Sequence, residues 1–261
     1  MRGRHIAVIS ILLAASACAS STSSSGPSPA EAITVFAASS LTGAFTQMGK
    51  DFQAAHPGTT VTFNFGPSDG LAGQIESEGT ADVFASASTT WMDNVSTKVG
   101  VSNLTQFATN RLVIITPPDN PAKINTIADL AKPGVQLILA APGVPVGDYA
   151  RQVLKNAGIA KAAEANVVSN EPDDASLVTK VASGEADAAI VYLSDVTSSV
   201  APTVKSITIP AALNVTAVYP IALVNGTPNA TTAAAFVFYV ASPPGQATLK
   251  SFGFLPPTAT P

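Results

Sequence analysis

The sequence predicts an α/β protein that folds as two lobes with a ligand cleft between them. Short runs of β-branched and apolar residues alternate with stretches of helical periodicity, the pattern of parallel strands covered by helices. Beyond residues 1–30, about 230 residues remain, enough for two lobes of about 110 residues each. The net charge is −4 and there is no basic stripe, which excludes nucleic acid as a partner.

Residues 1–17 have the three parts of a secretory signal peptide. Arg2 and Arg4 precede an apolar run at 6–17, and the small residues of the string ASAC at 15–18 close it. The run is shorter than the ~20 apolar residues that cross a bilayer, so it predicts export rather than a membrane span. The folded protein is therefore expected outside the cytoplasm.

Cys18 is the only cysteine in the sequence, which excludes an intrachain disulfide. It is either an incidental small residue of the signal or the lipidated first residue of a bacterial lipoprotein. ASAC resembles a lipobox in which Ala15 stands where leucine is preferred. Residues 18–30 favour lipidation, because positions 19–29 contain six serines and such a segment forms a flexible tether. We expect Cys18 to anchor the protein to the outer face of the cell membrane.

Three strand-then-helix units open the folded region. The predicted strands are ITVFAA at 33–38, VTFNF at 61–65 and DVFASA at 82–87. The first helix is predicted over 41–55 from apolar residues at helical spacing, namely Leu41, Ala44, Phe45, Met48 and Phe52. The second and third helices are marked in the same way by Leu71, Ile75, Trp91, Met92 and Val95. Units of this kind predict parallel strand pairing.

A strong strand at 111–116, ended by Pro117 and Pro118, begins the second half. The elements predicted after it are a strand at 135–140, a helix around 149–154, a strand at 166–169, a helix around 177–181, strands at 186–192 and 217–224, and two short helices within 230–253. Crossings near 115 and 195 place lobe one at 31–114 and 196–261 and lobe two at 115–195. Short double crossings form hinges, and the cleft between the lobes is the expected ligand site.

The string GPSDG at 66–70 fits the G-x-S-x-G pattern of a hydrolase nucleophile elbow, with Ser68 as the candidate nucleophile. Such a serine needs a base, and in α/β-hydrolases the histidine follows it in the chain. His5 and His56 both precede Ser68, and no S-x-x-K string occurs in this stretch. Metal-binding, Walker and dinucleotide-binding patterns are also missing from the sequence. We therefore expect a protein that is not an enzyme and carries no cofactor.

Ser40 and Ser68 share a position, at the junction where a predicted strand ends and a helix begins. These junctions gather at the carboxyl edge of a parallel sheet, where ligands bind. The first turn of a helix presents unpaired N–H groups and a positive dipole end, which together attract an anion. Serine is also a favoured N-cap in the absence of any ligand, so either serine alone fits a purely structural role.

Four strings resemble the signatures of periplasmic molybdate-binding proteins, the substrate-capturing subunits of molybdate ABC transporters. They are VFAASSLT at 35–42, ADVFASA at 81–87 with WMD at 91–93, VPVGDYA at 144–150 and AIVYLSD at 189–195. The resemblance runs from about 33 to 254, in the family's order and spacing. It implies the two-lobed type II periplasmic binding protein fold, molybdate or tungstate in the cleft, a membrane permease as partner and a monomer.

The family holds its oxyanion with neutral donors, and five positions of this sequence match them. The resemblance implies hydroxyl donors at Ser40, Ser68 and Tyr192, and backbone N–H donors at Val146 and Asp174. A structural role stays open for three of these residues. Val146 also fits a turn, Asp174 fits a charge at a helix start, and Tyr192 fits a core residue whose hydroxyl is bonded locally.

Two acidic residues depart from the family's pattern. Asp69 follows Ser68 where the family often has further serine or threonine, and Asp174 brings a carboxylate to a backbone-donor position. A carboxylate that faced a dianion would repel it, so Asp69 is expected to turn outward and only the N–H of Asp174 to be used. If either carboxylate faced the cleft, a protonated oxyanion such as hydrogen phosphate would gain, since an acceptor suits its O–H group.

Other functions stay open on the sequence. The same fold also fits sulfate, phosphate, an organic acid or ferric iron, although iron calls for several tyrosine or histidine ligands and the sequence has only four tyrosines. Two alternatives belong to different classes. One is a serine hydrolase that uses Ser68, and the other is a sensor or adhesion lipoprotein without transport.

Overall fold

The computed structural model describes residues 31–258. The predicted signal peptide at 1–17, and the predicted lipid anchor and tether at 18–30 with Cys18, lie outside the described residues. Within 31–258, no helix combines the length and the apolar character needed to cross a membrane.

The chain forms ten strands and eight helices over the part that the structure describes. The strands are β1 (Glu31–Ala38), β2 (Thr59–Gly66), β3 (Val83–Ala85), β4 (Val101–Asn110), β5 (Leu112–Thr116), β6 (Leu137–Ala140), β7 (Val167–Glu171), β8 (Ala188–Tyr192), β9 (Lys205–Thr208) and β10 (Ala217–Val224). The helices are α1 (Thr42–Ala55), α2 (Ser68–Glu78), α3 (Thr89–Lys98), α4 (Pro145–Asn156), α5 (Ala160–Glu164), α6 (Asp174–Ala182), α7 (Ala230–Ala241) and α8 (Pro243–Ser251). Short 3-10 turns occupy Ser39–Leu41, Ile127–Ala131 and Leu193–Asp195.

The strands form two five-stranded sheets, which confirms the predicted α/β class. The orders are β2-β1-β3-β10-β4 and β7-β6-β8-β5-β9. In the first sheet β1 pairs in parallel with β2 and β3, while β10 runs antiparallel to β3 and β4. In the second sheet β6 pairs in parallel with β7 and β8, while β5 runs antiparallel to β8 and β9. Both sheets are therefore mixed. The parallel pairing predicted for the first three strands is confirmed, whereas the antiparallel pairing of the other strands was not predicted.

Strand β4 has no counterpart among the predicted elements. Only its last four residues are buried, and most of the preceding ones are exposed. Its exposed part, SNLTQ at 102–106, is polar and lacks the alternation that identifies a half-buried strand. The strand forms because β10 pairs with it along most of its length, a partner that lies more than a hundred residues away.

The sheets place the crossings between lobes at different positions from the predicted ones. The predicted boundary at 114/115 falls inside β5, yet β5 pairs entirely within the second sheet. Strand β9 also pairs within the second sheet, although it lies beyond the predicted boundary at 195/196. We therefore define the first lobe as residues 31–110 and 217–258, and the second lobe as residues 112–208. The difference arises because strand periodicity is local, whereas the choice of partner depends on distant residues.

Helices cover both faces of the first sheet, and this packing fixes where α1 and α2 begin. On one face, Phe45 and Phe52 of α1 meet Phe236 of α7 edge to face, with ring centroids 6.0 and 5.3 Å apart. On the other face, Leu71 and Ile75 of α2 lie in a separate buried cluster with residues of β1, β3 and α3. The first turns of α1 and α2 consequently lie side by side, at the carboxyl ends of the neighbouring strands β1 and β2.

Candidate functional site

A small cavity lies between the two lobes, at the carboxyl ends of their central strands. The first lobe lines it with Ala38, Ser39, Ser40, Pro67, Ser68 and Ala87. The second lobe lines it with Val144, Pro145, Val146, Asp174 and Tyr192. Its volume is about 10 Å³, measured as the space open to the centre of a water molecule. All five residues that the sequence singled out as ligand donors thus surround one cavity.

The lobes touch each other around this cavity. The indole Nε1 of Trp91 in the first lobe donates to the Gly143 carbonyl in the second, at 2.8 Å. The Ser39 hydroxyl donates to Oδ1 of Asp174 across the same gap. These two contacts join the lobes beside the cavity, so the structure represents a form in which the lobes are in contact.

Three helix starts beside the cavity have no side-chain cap. The capping positions are Ala38 before the 3-10 turn that leads into α1, Pro67 before α2 and Val144 before α4, and no side chain there accepts a hydrogen bond. In contrast, Ser88 caps α3 and Asp173 caps α6. The first N–H groups of a helix have no partner within it, and an uncapped start leaves them available. The cavity therefore receives backbone donors and positive dipole ends from both lobes.

Ser68 is held so that its hydroxyl can donate a hydrogen bond. It is the first residue of α2, is 1% exposed, and its Oγ accepts from the backbone N–H of Ala87 at 3.0 Å. A hydroxyl has a single proton, and because Ser68 already accepts from Ala87, that proton is left for a second partner. The backbone of the turn after β3 therefore directs the Ser68 hydroxyl as a donor at the cavity.

Tyr192 presents a buried hydroxyl with no hydrogen-bond partner among the described residues. The side chain is 2% exposed, and it stands at the end of β8 with its ring edge-on to those of Tyr149 and Tyr219. Burial raises the pKa of Tyr192 well above its ordinary value of 10.0, and the nearby Tyr219 acts in the same direction, so the hydroxyl keeps its proton. Buried polar groups without a partner are rare, and this one lines the cavity.

Only the backbone N–H of Asp174 was expected to act as a donor, but the carboxylate of this residue is also buried beside the cavity. It is 4% exposed and accepts from the Ser39 hydroxyl, and the carboxyl of Asp195 lies beside it in the turn after β8. Burial raises the pKa of Asp174, and the hydrogen bonds from Ser39 and Asp195 oppose that change. The charge of this carboxylate is thus met by two donors.

Asp69 does not line the cavity, and it lies in the first turn of α2, where its charge favours the helix dipole.

The pair formed by Asp174 and Asp195 predicts that stability falls as the pH rises. Burial raises the pKa of Asp195 well above its ordinary value of 3.8, and the charge of Asp174 raises it further. The folded protein therefore holds a proton that the unfolded chain has released above about pH 4, and the pair's stabilising contribution declines from that pH upward. In Asp195→Asn, the amide donates to Asp174 and accepts from the Tyr192 N–H, which now bonds Asp195 Oδ2 at 2.8 Å. We expect the free energy of unfolding of this variant, measured by urea denaturation, to vary less between about pH 5 and pH 8.

Asp93→Asn is the matched control, because Asp93 is exposed on α3. This variant should keep the pH dependence of the wild-type protein. If the profile of Asp195→Asn runs parallel to that of the wild type, the pair holds no shared proton.

Sequence reasoning missed several residues of the site. Ser39, Asp195 and Tyr219 all belong to strings or strands that the sequence identified, yet nothing in those strings shows that the three lie together.

The hydrolase alternative finds no support in the geometry. His56 stands at the far end of α1 from the cavity, where its Nδ1 bonds the Phe52 carbonyl at 2.9 Å. Within 31–258, there is also no cluster of three or more acidic, histidine or cysteine side chains that could hold a metal ion.

Comparison with known proteins agrees with this architecture. Residues 33–255 match the family of bacterial extracellular solute-binding proteins. The molybdate-binding protein ModA of Mycobacterium tuberculosis is 40% identical over 263 residues, which covers 98% of each chain. ModA of Escherichia coli is 33% identical over 230 residues, covering 85% of this chain and 88% of the relative.

A solved structure shares the fold at lower sequence identity. The periplasmic molybdate-binding protein of Azotobacter vinelandii superimposes with a TM-score of 0.77 at 22% identity, and the match covers 87% of this chain and all of the other. The family match, the close relatives and the two-lobed α/β architecture agree with one another. The chain belongs to the bacterial extracellular solute-binding proteins, in the group that contains the molybdate-binding proteins of ABC transporters.

Proposed function

We propose that this protein captures molybdate outside the cytoplasm and delivers it to the permease of an ABC transporter. One observation carries the proposal: the cavity between the lobes is lined by hydroxyls and by helix starts with backbone N–H groups, and the carboxylate that lines it, Asp174, already accepts from Ser39. No lysine, arginine or histidine is among the described residues that line it. The identity to molybdate-binding relatives supports molybdate as the anion.

Neutral donors suit a tetrahedral dianion. In the proposed complex, the hydroxyls of Ser40, Ser68 and Tyr192 and the backbone N–H groups of Val146 and Asp174 bond the four oxygens. A hydrogen bond with one charged partner contributes ~1.5–3 kcal/mol, so several of them together offset the loss of the anion's hydration. The donors are held by helix starts and by Ala87, which lowers the cost of ordering them around the ligand.

Binding is proposed to draw the lobes together. Donors on both lobes reach one anion only when the cleft is closed, so the anion binds the closed form more tightly and shifts the population toward it. The contacts of Trp91 with Gly143 and of Ser39 with Asp174 then hold the closed form. We propose that this closed form docks on the permease.

Several finer features complete the proposal. Tungstate has the charge and shape of molybdate and should bind in the same way. Lipidation at Cys18 would keep the protein near the permease on the outer face of the cell membrane, with residues 18–30 as the tether. We further propose that the protein acts as a monomer and that Ser68 is a hydrogen-bond donor rather than a nucleophile.

Titration calorimetry of the purified protein with molybdate, tungstate, sulfate and phosphate tests the ligand. We expect tight binding of molybdate and tungstate and much weaker binding of the other two anions. Tight binding of sulfate or phosphate without molybdate would overturn the proposal. Labelling of Ser68 by a fluorophosphonate would instead support the hydrolase alternative.

The Ser68→Ala variant tests the donor role of this hydroxyl. We expect molybdate affinity to fall about tenfold or more, because a bond to a charged ligand is lost and the Ala87 N–H loses its acceptor. Ser77→Ala is the control on the same helix, since the Ser77 hydroxyl is exposed and bonds the Gly73 carbonyl. Calorimetry should find the control within about twofold of the wild type. Equal affinities of both variants would show that Ser68 does not touch the ligand.

A further inference from the structure

Buried polar side chains of the first lobe lie behind Ser40. The Ser40 Oγ is 3.0 Å from the hydroxyl of Tyr219, which lies on β10 and is fully buried. Behind Tyr219 is the side chain of Asn110, the last residue of β4, which is also fully buried. These groups belong to the first lobe but, except for Ser40, do not line the cavity.

The Tyr219 hydroxyl has one hydrogen-bonding partner among the described residues, which is Ser40. The nearby Asn110 amide has other partners. Its carbonyl oxygen accepts from the backbone N–H of Arg111 at 2.9 Å, and its nitrogen donates to the Ser194 hydroxyl at 2.8 Å.

The proton of Tyr219 must then point to Ser40. Burial raises the pKa of Tyr219 well above its ordinary value of 10.0, so the hydroxyl stays protonated. It has one proton, and Ser40 is its hydrogen-bonding partner among the described residues. If Ser40 donated to Tyr219 instead, the buried Tyr219 proton would have no acceptor, which is unfavourable.

We propose that Tyr219 is a specificity-determining residue that fixes the Ser40 hydroxyl as a donor toward the ligand. Because Ser40 accepts from Tyr219, its own proton points into the cavity. A fully deprotonated oxyanion accepts this proton, whereas a protonated oxyanion would present its O–H to a group already committed to donating. This inference rests on the proposed binding of an oxyanion at Ser40.

Ser68 shows the same arrangement with a different donor. There the backbone N–H of Ala87 occupies the acceptor site of the hydroxyl. Ser40 and Ser68 therefore each have a donor behind the hydroxyl and a free proton in front. The donor at Ser68 is a backbone N–H, which only proline would remove and at the cost of a changed backbone, but the donor at Ser40 is a side chain and can be tested directly.

The test combines Tyr219→Phe, Ser40→Ala and the double variant in a thermodynamic cycle. Calorimetry at neutral pH measures the affinity for molybdate and, by competition, for phosphate, which is then partly protonated. We expect Tyr219→Phe to weaken molybdate about tenfold and to reduce the preference for molybdate over phosphate by a similar factor. In the Ser40→Ala background, Tyr219→Phe should change neither quantity further, since it acts through Ser40. Tyr239→Phe, at a partly buried tyrosine on α7, is the control and should match the wild type.

The outcomes separate this inference from the proposed function. If the wild type binds molybdate tightly and the effects of the two substitutions add, Tyr219 does not act through Ser40 and the inference is wrong. An equal loss of affinity for both anions would likewise show a general loosening of the site rather than control of the Ser40 proton. If the wild type itself fails to bind molybdate, the proposed function is what fails.

Discussion

Gly147→Ala is expected to cause a large loss of both stability and ligand affinity. Gly147 lies in the first turn of α4, and a Cβ atom there would come within 2.4 Å of the Ala140 carbonyl oxygen and 2.7 Å of the Ala141 carbonyl oxygen. Both are backbone atoms at the end of β6 and cannot swing aside. The helix start must therefore move away from the sheet, which should reduce the free energy of unfolding by about 3 kcal/mol.

The same displacement should weaken molybdate binding about 100-fold or more. The N–H of Val146, one residue before Gly147, is a proposed ligand donor, and a shift of about 1 Å misplaces it. Urea denaturation of the ligand-free protein and calorimetry with molybdate measure the two effects.

Gly73→Ala provides the matched control for this substitution. Gly73 also lies in a helix, α2, beside the site, but a Cβ there meets no atom within 4 Å. Alanine favours helix over glycine by up to about 1 kcal/mol, so this variant should be as stable as the wild type or slightly more stable. If Gly147→Ala behaves like Gly73→Ala, the close approach of α4 to β6 has no energetic consequence.

Tyr192→Phe is expected to separate binding from stability. The Tyr192 hydroxyl has no partner among the described residues, so its removal should leave the ligand-free protein as stable as the wild type, or more stable by about 1 kcal/mol. Molybdate should nevertheless bind about 10- to 100-fold more weakly, because a hydrogen bond to a charged ligand is lost. Thermal unfolding without ligand and calorimetry with molybdate give the two values.

Weaker binding without a loss of stability is the response expected of a hydroxyl whose hydrogen-bond partner is the ligand. A tyrosine that served only the core would show a loss of stability and little change in affinity. Such a result for Tyr192 would remove it from the proposed site and would leave its unpartnered hydroxyl without a function.

Much of the fold could be predicted because strand and helix periodicities are local. The runs around Val35, Val83 and Ile190 are apolar and short, and each lies in an observed strand. Strand β4 was missed because its first residues are polar. The mixed pairing was also missed, since an antiparallel partner such as β10 is chosen by contacts that no short window contains.

The candidate site was also predicted only in part. By itself, the sequence determined an exported α/β chain of a recognisable family, with Ser40, Ser68, Val146, Asp174 and Tyr192 as candidate donors. Ser40 and Ser68 could be identified because each stands at a strand-to-helix junction, which is recognised from neighbouring residues. Val146, Asp174 and Tyr192 were identified only through the resemblance to the molybdate-binding family.

Only the tertiary structure decided what the donors face and which way their protons point. Ser40 meets Tyr219 across 179 residues of sequence, and Ser39 meets Asp174 across 135. The ordering of the Tyr219 proton and the pairing of Asp174 with Asp195 depend on burial and on contacts between distant segments. Hydrogen-bond direction is a property of a whole network in three dimensions, and for that reason the sequence could name the donors but could not orient them.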